Sequence, residues 1–205
     1  TPYGYWAISH TFLKQLIAGD RFSYPEPWKL SANIQTQVLT VSGVDISGLT
    51  TDGKVVSFLV KETSAPSLPP PTEDALPEHL QYNRDTLQVE NLSPGTYQLT
   101  IDDKPVTTAT ADAWAAGVPI DSSPAHVAAE KYRAAVNDKN LQFTYGWKAL
   151  NQVHIVGERK SSPSGRRLPQ EIIEFNRLAN ERDAALRKGI ELKTRHWRLT
   201  RVPAP

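Results

Sequence analysis

Val89-Glu-Asn-Leu-Ser-Pro-Gly-Thr-Tyr-Gln-Leu-Thr-Ile-Asp-Asp-Lys-Pro-Val106 reads as short strands joined by tight turns. Tyr97, Leu99 and Ile101 fall at alternate positions and therefore share one face of a strand. Ser93-Pro94-Gly95 and Asp102-Asp103 carry turn chemistry: proline fixes φ, glycine accepts any backbone conformation, and Asp bonds its own backbone. The stretch is typical of a small β-sandwich edge, with strands at Leu87–Leu92, Gly95–Ile101 and Lys104–Thr108.

Upstream, Lys29–Ile34, Gln37–Val41, Val44–Ile46 and Lys54–Lys61 also read as strands. Asp52-Gly53 between apolar runs is a hairpin signal. Val56, Phe58 and Val60 alternate with Ser57, Leu59 and Lys61, which suits a sheet buried mainly on one face. Six or seven short strands at this spacing point to a sandwich, an architecture that carries no function by itself. Ser64 to Pro77 holds Pro66, Pro69, Pro70, Pro71 and Pro77, which favour an extended, exposed polyproline loop.

Downstream the pattern turns helical. Thr110 is placed to cap Ala111–Ala116, with Gly117 ending it. Ser122 or Ser123 is placed to cap a helix from Ala125 to about Lys139, with Pro124 in its first turn. Leu141–Trp147 and Val153–Val156 read as extended pieces, and Ser161–Arg167 as a polar loop. Pro169 is expected to start the last helix, to about Lys188, with Ile172, Phe175, Leu178 and Leu186 inward. Leu192–Val202 reads as a basic, partly extended tail.

The first residues form another helix. Tyr5, Ile8, Phe12 and Leu16 recur at helical spacing, Trp6, Leu13 and Ile17 widen the stripe, and Gly19 suits its end. A helix so apolar expects cover on more than one side, which implies sequence upstream of Thr1. Asp20–Trp28, with Pro25 and Pro27, is a linker.

Composition narrows the classes. The 205 residues include five Trp, sixteen Pro and no Cys. They are enough to bury a core. Without Cys there is no disulfide framework, thiolate nucleophile or Cys-based metal site. No run of 18 apolar residues is present, so no membrane span is expected. Net charge is +1 but unevenly placed. Residues 1–124 carry 7 Lys/Arg against 14 Asp/Glu, and residues 125–205 carry 16 against 8. Arg195, Trp197, Arg198 and Arg201 interleave charge with a ring, yet no recognition motif accompanies them, so nucleic acid is not an expected partner. His10, His79, His126, His154 and His196 form no His pair at i, i+4, so neither metal nor cofactor is expected.

Thr1-Pro2-Tyr3-Gly4-Tyr5-Trp6-Ala7 resembles the segment just after the catalytic Asp-x-x-His of SGNH/GDSL-type serine hydrolases, with Gly4 as the glycine that opens their last helix. The resemblance implies that the catalytic His lies before Thr1. The chain has no Gly-Asp-Ser block, since Gly19-Asp20 is followed by Arg21, and no Gly-x-Ser-x-Gly elbow. No catalytic residue is therefore assigned, and the chain alone is expected to be inactive.

Asn140 to Arg167 is the best functional constellation. It offers aromatic faces at Phe143, Tyr145 and Trp147 and directional donors at Asn151, Arg159, Arg166 and Arg167, a mixture suited to a sugar or ester substrate. Its Trp147, Asn151, Gly157 and Arg159 also resemble the C-terminal region of bacterial members of that hydrolase family. Tyr145, Trp147, Asn151, Arg159 and Arg166 are the expected substrate contacts.

The expectation is an α+β chain: residues 1–20 as the last helix of an α/β/α hydrolase domain, 28–109 as an antiparallel β-sandwich-like module, and 110–205 as a helical C-terminal region with short extended segments. The resemblance implies an ester hydrolase acting on carbohydrate esters, reached through an N-terminal domain, in an exported or periplasmic setting. A non-catalytic carbohydrate-binding or interaction module is the alternative. The compartment and the oligomeric state stay open.

Overall fold

The computed structural model describes residues 1–12, 15, 26–52, 54–71, 84–151 and 161–203. In chain order the elements are α1 (Pro2–Phe12), β1 (Lys29–Asn33), β2 (Val38–Ser42), β3 (Val44–Thr51), β4 (Val55–Glu62), β5 (Thr86–Glu90), β6 (Thr96–Ile101), β7 (Lys104–Thr110), α2 (Ala111–Ala116), β8 (Val118–Pro119), α3 (Pro124–Asn151), α4 (Pro163–Leu186) and β9 (Arg195–Val202). This is an α+β chain with two sheets and long helices in its C-terminal part. Two compact units divide it: residues 1–127 with 192–205, and residues 128–191.

In the first unit the strands form a sheet of order β2-β1-β5-β8 and another of order β3-β4-β9-β6-β7. Every pairing is antiparallel except β1 with β5. That parallel pair departs from the antiparallel expectation. Its two strands start together, because the Trp28 amide donates to Asp85 Oδ1 and the Thr86 amide donates to the Trp28 carbonyl, both at 3.0 Å. The sheets share one core. Leu30, Ala32, Leu87 and Val89 from the first meet Val56, Phe58, Val60, Tyr97, Leu99, Ile101, Trp197 and Leu199 from the second. The alternation read in the sequence accounts for this, since each buried residue is two positions from the next.

The turns follow their side chains. Asp52 Oδ1 accepts from the amides of Lys54 and Val55 at 2.9 and 2.7 Å. Asp102 and Asp103 sit at φ +49° and +61°, a conformation that Asp tolerates and that suits a tight hairpin. Thr110 caps α2, its Oγ1 accepting from the Ala113 amide at 3.2 Å.

The prolines behave differently from the expected exposed loop. Residues 65–71 form no regular element, but Pro66 and Pro70 are buried. A Pro-rich segment has few amides to satisfy, so it can lie against a core at little polar cost.

The expected basic tail is β9, the middle strand of the five-stranded sheet. Trp197 and Leu199 alternate with His196, Arg198 and Thr200 and point inward, at 1% and 0% exposure. For that reason the chain does not part at residue 110: its last strand returns to the first unit.

In the second unit α3 runs unbroken through 141–147, where extended chain was expected. Phe143, Thr144 and Tyr145 are strand-prone types. Their helix is held by tertiary contacts with α4: the Tyr145 and Phe175 rings lie 5.6 Å apart, and the Tyr132 hydroxyl donates to the Leu186 carbonyl at 3.0 Å. Arg182 pairs with Asp138 between the same helices. Gly146 permits close approach, since a Cβ there would stand 2.8 Å from Asn176 Oδ1. α4 starts at Pro163, not Pro169. Ser162 Oγ accepts from the Gly165 amide at 3.1 Å, and Pro163 occupies the first helical position, where its missing N–H costs nothing. Val153–Val156 lies outside the described residues.

α1 carries Tyr5, Ile8 and Phe12 as exposed side chains, at 78%, 65% and 57%. Gly4 sits in its first turn, its amide bonded to Thr1 Oγ1 at 3.1 Å. The remainder of the expected 1–20 helix is outside the described residues apart from Gln15.

Candidate functional site

Of the five residues expected to touch substrate, Tyr145, Trp147 and Arg166 have described side chains. Tyr145 and Trp147 stand on α3, both about half exposed. Two residues apart on a helix they diverge by about 200°, and Tyr145 leans onto Phe175. Asn151 is the last residue of α3, with its side chain outside the described ones, and Arg159 lies outside them altogether. Arg166 is exposed in the first turn of α4. What α3 does present is Phe143 and Trp147, one helical turn apart on one face and 56% and 55% exposed.

The buried polar and ionisable side chains among the described residues lie elsewhere, in the first unit. Asp85, Ser123, His126 and Glu62 are 2%, 5%, 4% and 7% exposed. Ser123 precedes α3, and its Oγ accepts from the amides of Ala125 and His126 at 3.2 Å each. The same Oγ lies 2.8 Å from His126 Nδ1. With both lone pairs engaged, the hydroxyl has only its proton to offer, so it donates to Nδ1. The imidazole proton then sits on Nε2, which faces Asp85 Oδ2 at 3.6 Å. The other carboxylate oxygen takes the Trp28 amide, and the Asp85 carbonyl takes the Ile120 amide at 2.8 Å. At the rim, Arg84 pairs with Asp121 at 3.2 Å.

Ser, His and Asp thus follow one another in the order of a hydrolytic triad. The geometry closes that chemistry off. The Oγ is spent on capping the helix, and no face of the group is open to a substrate. Its work is to fasten β1, β5 and the start of α3 together. Sequence reading found the cap at Ser122 or Ser123 but not the cluster. Ser123-Pro-Ala-His126 carries a local signal, cap plus third helical residue, analogous to a capping box. Asp85 and Glu62 carry none.

Burial governs the titration of this group. It pushes Asp85 up to about 7, reinforced by the Asp121 charge and opposed by the Trp28 and Ser67 backbone. It pushes His126 down to about 4, against the Asp121 charge and the Ser67 backbone. Glu62 rises to about 7, chiefly from burial and then from Asp85, with Arg195 opposing. A carboxyl raised in the folded state contributes stability that is complete below its unfolded value, here 4.5, and lost as pH rises through about 7. Glu62→Gln stays neutral throughout. The variant should match the parent near pH 4.5 and exceed it at pH 8 by up to about 3 kcal/mol, read from urea unfolding at the two pH values. A difference independent of pH would show that Glu62 does not titrate in this range.

An open groove at one end of the five-stranded sheet is lined by Lys54, Gly95, Thr96, Arg201, Val202 and Pro203. Arg201 Nη2 donates to the Pro94 carbonyl at 2.7 Å, which lays the guanidinium across Gly95. A Cβ at Gly95 would come within 2.6 Å of Arg201 Nε. Among the described residues no group of three or more His, Asp or Glu is placed to hold a metal ion, and no helix is long and apolar enough to cross a membrane.

No protein-family model and no curated protein matches the chain. A solved structure does: BT4096, described as a gut microbial diltiazem-metabolizing enzyme, at 17% identity with a TM-score of 0.74. The likeness covers 98% of this chain and 55% of that one, so this chain spans about half the length of the structure it matches. At this identity the likeness is one of fold. It overturns the SGNH/GDSL assignment drawn from Thr1–Ala7, which neither the absent family match nor the description of that neighbour supports. A Gly and aromatic rings in the first turn of a helix are local helix chemistry, which many folds share.

Proposed function

We propose that this chain is the accessory, non-nucleophilic part of an enzyme that hydrolyses small organic esters. The carrying observation is the fold shared over nearly its whole length with a longer protein described as a diltiazem-metabolizing enzyme. Two features support it. The one Ser-His-Asp group among the described residues is closed to substrate, so a nucleophile would have to come from elsewhere. The exposed Phe143 and Trp147 rings offer apolar faces of the kind that grip an aryl or sugar ester.

The test compares turnover of p-nitrophenyl acetate and diltiazem by the protein in its native length and by residues 1–205. The expected result is hydrolysis by a longer native protein and none by the 205 residues. In the active form, Trp147→Ala should raise KM about fivefold with kcat little changed, the mark of a lost binding contact. Absence of esterase activity from both forms would overturn the reading.

The exposed rings also favour a second reading, a non-catalytic carbohydrate-binding module. Retention of the 205 residues on an insoluble polysaccharide, lost in Trp147→Ala, would support it.

A further inference from the structure

Two sheets have four edges, and three of them are guarded. β7 begins Lys104-Pro105, and its register with β6 shifts between Leu99 and Thr100. β3 is interrupted between Ser47 and Thr50, around Gly48 at φ +66°. β8 has only two residues, the second of them Pro119. Charges, prolines, bulges and brevity are the devices that keep an edge from pairing with another chain.

β2 has none of the first three. Val38-Leu-Thr-Val-Ser42 contains no charge, proline or glycine, and its register with β1 runs unbroken through five residue pairs. Among the described residues no strand pairs with its outer side. Val38 and Val41 are 56% and 40% exposed. Leu39, which shares a face with Val41, packs partly buried against the core.

We propose that β2 is a self-association surface, on which a second copy of the chain pairs antiparallel about Thr40. The strand is complementary to itself. Centred on Thr40, the pairing sets Thr40 opposite Thr40, Leu39 opposite Val41 and Val38 opposite Ser42. β-Branched and Thr–Thr cross-strand pairs are favourable, and an uncharged strand sets no like charges face to face. Antiparallel identical strands satisfy a twofold axis, so the contact closes at the dimer. On the inner face each Val41 would be covered by the other copy's Leu39, extending the core across the junction. A five-residue seam is small, so association is weak and concentration-dependent.

The chain has no cysteine, so Thr40→Cys introduces a single thiol. Opposed residues of an antiparallel pair lie about 4.5–5.5 Å apart at Cα, within disulfide reach. Thr108→Cys, on the exposed side of guarded β7, is the control. Under mild oxidation Thr40→Cys should form covalent dimer at least about tenfold faster than Thr108→Cys, because pairing raises the effective thiol concentration. Adding Val41→Lys should return it to the control rate with the circular dichroism spectrum unchanged. Sedimentation of the unmodified chain should show a monomer–dimer equilibrium that Val41→Lys shifts to monomer. A chain that stays monomeric up to about 1 mM would overturn the proposal. So would a dimer in which Thr40→Cys links no faster than Thr108→Cys, since its seam would lie elsewhere.

Discussion

Trp197→Ala is expected to lower the unfolding free energy of the β-rich unit by about 3–5 kcal/mol, the range for deleting a buried large aromatic side chain. The ring is 1% exposed on the central strand of the larger sheet. It meets Trp28 edge-on at 5.4 Å and Phe58 at 6.1 Å. Its strand pairs with both β4 and β6, so a void there has neighbours on each side and little means of collapse. The indole Nε1 has no hydrogen-bond partner. The loss is therefore one of packing and leaves no acceptor stranded. Trp197→Phe keeps a ring and discards the unpaired N–H, so it should cost only about 1 kcal/mol. Urea unfolding of the three proteins reads this directly. A cost below about 1 kcal/mol for the alanine variant would mean that residues 192–203 do not complete the sheet in solution.

The sandwich was legible where each strand carries its own face. Val56, Phe58 and Val60 in β4 and Tyr97, Leu99 and Ile101 in β6 alternate cleanly, and their turns hold Asp and Gly at the required positions. Two readings failed where partners lie far along the chain. Arg195–Val202 looks like a basic tail because Arg195, Arg198 and Arg201 break its apolar alternation, yet it pairs with β4 and β6 and buries Trp197 and Leu199. Leu141–Trp147 looks extended because aromatic residues crowd it, yet α4 supplies the contacts that keep it helical. The candidate substrate contacts draw on two different helices and the chain between them. Tyr145 stands near the end of α3 and Arg166 at the start of α4, an arrangement that the local pattern of 141–167 did not reveal. The buried Asp85, Ser123 and His126 are gathered from residues about forty apart, with only the cap visible locally.

Asp85→Ala should be the other large loss at low pH, at about 1–3 kcal/mol, the cost of leaving a buried donor without its acceptor. The carboxylate is 2% exposed. Without it the Trp28 amide loses its acceptor, while His126 Nε2 has no hydrogen-bond partner in either protein. Each stranded buried donor costs about 1–3 kcal/mol. Asp85→Asn separates shape from charge. Its amide oxygen can still accept from Trp28, while its NH2 would confront the Nε2 proton. At low pH it should therefore be somewhat less stable than the parent. The sign reverses the comparison as pH rises. The parent carboxyl, raised by burial from 3.8 to about 7, contributes stability that is whole below pH 3.8 and lost as pH climbs through 7. Asn gives up nothing over that interval, so Asp85→Asn should gain on the parent between pH 5 and pH 8. Asp85→Ala should gain on the parent by the same route, about 2–3 kcal/mol between pH 5 and pH 8, and stay below Asp85→Asn at both. Urea midpoints for the three proteins at the two pH values test each step. If alanine and asparagine are equally mild, the hydrogen bond to Trp28 is not what joins β1 to β5, and the parallel pairing of those strands must be held by the apolar core alone.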